Sequence, residues 1–183
     1  MTREEIIDII ADLYDELEIS DFGFDLVKII KKLDINLVPY SCFGTSEQRI
    51  LYNYDEDGFN LINPLNNKIE IFYNDKIVPR RRIKFTLPHE LGHIVLGHNC
   101  SGGFETLQKK SEANLFAKEF YCPQAFMIHY HLCTKSDLLS AFDITDSYAE
   151  ILLKKLSQRK NFSLSTNEKR LISIFEKNRI KKD

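Results

Sequence analysis

Between residues 3 and 17, apolar side chains recur at Ile6, Ile9, Ile10, Leu13 and Leu17 with acids on the other side. That spacing predicts an amphipathic packing helix. A second helix is expected at about residues 24–33, with Leu26, Ile29, Ile30 and Leu33 inward, after a break at Asp21-Phe22-Gly23. From Ile35 the pattern changes to short runs that read as strands at 35–40, 49–54, 58–63 and 68–74, punctuated by turn residues at 55–58 and 63–67. They predict a small, mainly antiparallel sheet of three or four strands.

Helical spacing returns after residue 78. Leu87, Leu91, Ile94, Val95 and Leu96 form an apolar surround, and Gly97 stands where a helix C-cap glycine is expected. Pro88 falls inside this segment, and the reading adopted is a long helix beginning near Pro79 and bent at Pro88, just ahead of its polar residues. Another helix is predicted at 111–123, with Ala113, Phe116, Ala117 and Phe120 on one side and Pro123 ending it. Residues 134–156 read as two short amphipathic helices capped by Thr134 and Thr145. Ser165-Thr166-Asn167-Glu168 offers a capping box to a last helix over 169–180, followed by a basic tail. The class is α+β, and the expected organisation is a domain at 1–133 with a helical appendage at 134–183.

Composition narrows the function classes. The 183 residues suffice for one domain with a hydrophobic core, and 43% hydrophobic with 28% charged residues is ordinary for a soluble protein. A net charge of −2 gives no general attraction to nucleic acid or anionic membrane, and Arg80-Arg81-Arg82 reads as a solvated stretch. No apolar run has the length of a membrane span, and the first residues lack the basic start and cleavage site of a signal peptide. A cytoplasmic location is expected, with Cys42, Cys100, Cys122 and Cys133 as reduced thiols and Cys100 as a small buried filler.

The chemistry concentrates in His89-Glu90-Leu91-Gly92-His93, an HExxH motif. On a helix, histidines four apart share a face, so both rings reach one ion, and Glu90 projects beside it as a proton acceptor. Two acids on the 111–123 helix, Glu112 and Glu119, can supply a third ligand. They lie about 10.5 Å apart along the axis, so only one of them touches the metal. His98 is out of register for an HExxHxxGxxH site, because Leu96 and Asn99 occupy the glycine and histidine positions. It is expected at the helix end or as a hydrogen-bonding neighbour of the ligands. Glu119 is expected to steady a ligand imidazole. Tyr121, His129 and His131 are candidates for an oxyanion donor.

RIKFTLPHELGHIVLGH followed by SEANLFAKEFYCP resembles the ImmA/IrrE family of zinc metallopeptidases over residues 80–123. Pro88 departs from the small residue usual before the motif. The resemblance implies a zincin-like fold, zinc held by His89, His93 and Glu112, and Glu90 as the catalytic residue. It also implies a narrow regulatory endopeptidase whose protein substrate is a helix-turn-helix repressor, and a helical pair after the catalytic helices. Two other classes stand beside it. One is a metal-dependent sensor or binding regulator on the same fold; the other is a DNA-binding regulator using 134–156 and the basic tail, against which the net charge counts.

Overall fold

The computed structural model describes residues 1–98, 106–159 and 163–182. They form an α+β structure whose elements in order are α1 (Arg3–Glu16), α2 (Leu26–Lys32), β1 (Asn36–Pro39), α3 (Thr45–Tyr54), β2 (Gly58–Ile62), β3 (Ile69–Tyr73), α4 (Ile83–Val95), α5 (Leu107–Tyr121), α6 (Gln124–His129), α7 (Lys135–Ala141), α8 (Asp146–Ser157) and α9 (Thr166–Lys182). The chain divides into a helical unit, Met1–Phe24 with Lys118–Asp183, and a sheet unit, Asp25–Ala117. Among the described residues no helix is long and apolar enough to cross a membrane. Cys100 and the 102–103 glycines lie outside the described residues.

In the helical unit α1 and α9 pack together. Thr2 and Glu5 form a capping box that starts α1. Of the predicted stripe Ile6, Ile10, Leu13 and Leu17 are buried and Ile9 is half-buried; Tyr14 joins them in a core that α9 meets with Leu171, Ile172 and Phe175. Tyr14 stands edge-on to Phe24, Phe120 and Phe126, and its hydroxyl donates to the Phe120 carbonyl at 2.7 Å. Each such ring pair adds about 0.5–1.5 kcal/mol beyond area burial. Asn178 ties the end of α1 to α9 by donating to the carbonyls of Tyr14 and Ile19.

The expected capping box at Ser165 is formed: the Glu168 amide donates to Ser165 Oγ, and the Ser165 amide donates to Glu168 Oε2. Glu168 is wholly buried, yet two guanidinium groups satisfy it. Arg159 donates to both its oxygens at 2.8 Å, and Arg3 reaches Oε1 at 2.8 Å. Burial pushes its carboxyl up, but the bonds from Arg159, the Ser165 amide and Arg3 outweigh that and hold it down at about 2. Thr134 and Thr145 cap α7 and α8 as expected.

The sheet unit contains a three-stranded sheet in the order β1-β3-β2, with β2 on an edge. The antiparallel expectation holds for β2 with β3, whereas β1 runs parallel to β3. One expected strand is a helix: residues 49–54 belong to α3. Ile50, Tyr52 and Tyr54 alternate like a strand, but Gly44 and Glu47 close a helix-starting turn, the Glu47 carboxylate accepting from the Gly44 amide at 2.7 Å. With that turn made, the exposed α3 links β1 to β2.

The faces of β2 have different partners. Phe59 stacks on its cross-strand neighbour Phe72 at 5.1 Å, and Tyr54 lies against Phe59. On the other face Gly58 lies so near α4 that a Cβ there would meet Thr86 Cγ2 at 2.9 Å. Asn60, two residues along, shares that face.

Candidate active site

The helix expected from Pro79 is realised as a 3-10 turn, Arg80–Arg82, running into α4, with Pro88 buried inside it. Four-residue spacing brings the two imidazoles together: His89 Nε2 and His93 Nε2 face each other at 3.2 Å. Two nitrogens bound to one tetrahedral zinc at 2.0–2.1 Å lie about 3.3 Å apart. The separation of the pair is therefore that of two adjacent positions on such an ion. Phe85, one turn earlier, lies nearly parallel to the His89 ring at 6.0 Å.

Glu90 is buried, and its Oε2 accepts from Asn60 Nδ2 at 2.7 Å, a distance typical of a charge-assisted bond. The contact follows from β2 geometry. Gly58 and Asn60 face α4 two residues apart, while Thr86 and Glu90 are one helical turn apart, so the residues meet in pairs. Asn60 was not foreseen from the sequence. An asparagine in a strand carries no local signal, and the contact spans thirty residues.

At its C-terminus α4 ends in a Schellman turn. Gly97 adopts φ +67°, its amide donates to Ile94 O, and the His98 amide donates to His93 O at 2.8 Å. The same turn returns the His98 side chain to His93, with their Nδ1 atoms 3.3 Å apart, and His98 Nε2 lies 2.9 Å from Glu112 Oε2. Gln108, one turn before Glu112 on α5, donates to Glu112 Oε1 at 3.0 Å. Close approach of α5 to α4 depends on Gly92, where a Cβ would stand 2.9 Å from the Phe116 ring.

His89, His93, His98 and Glu112 thus form a contiguous series in the sheet unit. The Glu112 carboxylate is joined to His93 through His98, and among the described residues no group of three or more His, Cys, Asp or Glu side chains is gathered as a ready metal site. Glu119 lies in the helical unit and does not hold an imidazole. Its carboxylate takes Arg3 at 2.9 Å and the Gln124 amide at 3.1 Å, so the expectation that it steadies a ligand ring gives way to His98 in that position. His129 bonds Glu176 at the surface of the helical unit, and His131 is exposed.

Comparison with curated proteins and with solved structures found no match. The description of one family, the IrrE N-terminal-like domain, matches residues 45–171, from α3 through the HExxH helix and α5 into α9. With that match over more than half of its length, the chain belongs to the IrrE N-terminal-like peptidase family, a metallopeptidase-like group.

Proposed function

We propose that the protein is a zinc-dependent endopeptidase that cuts one regulatory protein in the cytoplasm, a helix-turn-helix transcriptional repressor. The observation that carries the chemistry is the 3.2 Å approach of His89 and His93 Nε2 beside a buried glutamate already held by Asn60. In this reading His89, His93 and Glu112 hold the metal. When bound, zinc supplies Lewis acidity that polarises the scissile carbonyl and lowers the pKa of water. With Oε2 held by Asn60, Glu90 takes the proton of the attacking water at Oε1 and delivers it to the leaving amine. The edge strand β2 gives an extended substrate segment a place to add beside Glu90.

The restriction to a repressor comes from the family resemblance of residues 80–123 and from the danger that a general endopeptidase poses to its own cell. Glu90→Gln tests the chemistry, because it keeps the size of the side chain and removes the base. Expected is an unchanged zinc content with cleavage of a co-purifying repressor reduced by about 10²–10⁴-fold. Full cleavage by the variant, or a wild type that binds no metal, overturns the reading; rapid digestion of unstructured casein overturns the narrow specificity alone.

A further inference from the structure

His98 is outside the proposed ligand set, yet it is buried and both its ring nitrogens face ligand residues. Its place is dictated by the backbone. The left-handed Gly97 reverses the chain, and the bond from the His98 amide to the His93 carbonyl sets the two residues side by side.

Two facing Nδ1 atoms at 3.3 Å share one hydrogen. If His98 Nδ1 carried it in a neutral ring, His98 Nε2 would be an acceptor aimed at a carboxylate oxygen 2.9 Å away, and the two would repel. With both rings neutral, the other direction satisfies both contacts: His93 Nδ1–H donates to His98 Nδ1, and His98 Nε2–H donates to Glu112 Oε2. It also leaves the lone pair of His93 on Nε2, the atom that faces His89. Which nitrogen of a histidine is open to a ligand is set by the bond that its other nitrogen makes.

We propose that His98 is a positioning residue that fixes the His93 tautomer and the Glu112 carboxylate together, so that one side chain pre-orients two of the three ligands. The proposal rests on the metal-site reading above. Glutamine can accept from His93 with its carbonyl and donate to Glu112 with its amide; leucine can do neither. A side chain that merely fills space does not distinguish the two.

The test uses the full chain. Chelator competition on the zinc-loaded protein is expected to show His98→Leu binding 10- to 100-fold more weakly than wild type, with His98→Gln in between. One metal per chain and an unchanged visible spectrum of the cobalt-substituted form are expected in both. Equal affinities for wild type and His98→Leu overturn the proposal; a changed cobalt spectrum also overturns it, by making His98 a ligand. Long-range ¹⁵N–¹H correlation on histidine-labelled wild type reads the tautomers without relying on any variant to fold. Protons on His93 Nδ1 and His98 Nε2 are expected, and one on His98 Nδ1 overturns the direction of the chain. Should wild type take up no metal, the metal reading falls by itself, and the tautomers of the metal-free protein still decide the role of His98.

Discussion

The start of α9 and the end of α4 solve the same problem, unsatisfied backbone groups at a helix terminus, and put the solution to different uses. At the start of α9, Ser165 and Glu168 cap each other, and two arginines close on the buried carboxylate. At the end of α4, the left-handed Gly97 turns the chain so that His98 lies against His93. The first end gathers opposite charges and stores stability. The second gathers imidazoles and a carboxylate and, on the proposed reading, stores orientation. On that reading, termini of equal local regularity divide between holding the fold and preparing the chemistry according to what their side chains meet.

The strongest way to break this contrast is Glu168→Gln. The folded carboxyl titrates at about 2, below its ordinary 4.5, so its contribution is fully present above pH 4.5 and is lost as pH falls toward 2. Denaturation at pH 7 is expected to show a loss of about 2–3 kcal/mol, shrinking at pH 2.5, with zinc affinity unaffected. A variant that loses metal while remaining stable would reverse the assignment of the two ends.

Asn60→Ala probes orientation with no change in net charge. Removing the donor to Glu90 Oε2 is expected to lower kcat about tenfold, or about 1.4 kcal/mol, at unchanged KM and zinc content. A rise in KM with constant kcat would place Asn60 on the substrate instead. The smallest expected effect on stability is that of Gly97→Ala, about 1 kcal/mol for a side chain held at φ +67°. Among the described residues nothing lies within 4 Å of the added Cβ, so the cost is conformational. Because the turn carries His98, chelator competition should show a larger loss of zinc affinity than of stability, and equal losses would make the turn a plain helix stop.

These two termini also mark how far the sequence is legible. Gly97 and the Ser165–Glu168 box announce themselves because the backbone need they meet lies within six residues, and the His89/His93 pair follows from one helical turn. The partners of those residues are another matter. Arg3, Arg159 and Asn60 reach their carboxylates across distances at which no periodicity operates. Residues 49–54 show the opposite failure: their alternation has a strand period, and the turn closed by Gly44 and Glu47, only five residues earlier, decides for helix. The parallel β1–β3 pairing follows from that substitution, since a strand at 49–54 would have given β1 a hairpin partner.

The length of β2 sets a ruler for recognition. It is five residues long, its ladder ends at Ile62, and Pro64 follows, which cannot donate to an extended ladder. At about 3.4 Å per residue the edge spans about 17 Å, two residues on either side of Asn60. Side chains of a segment added along it alternate between the two faces, so only about two or three of them meet the α4 side where Asn60 lies, too few to single out one protein among thousands. On the proposed function, discrimination then rests on the shape of the folded substrate around that segment, and grafting the five residues into an unrelated protein is expected not to make it a target.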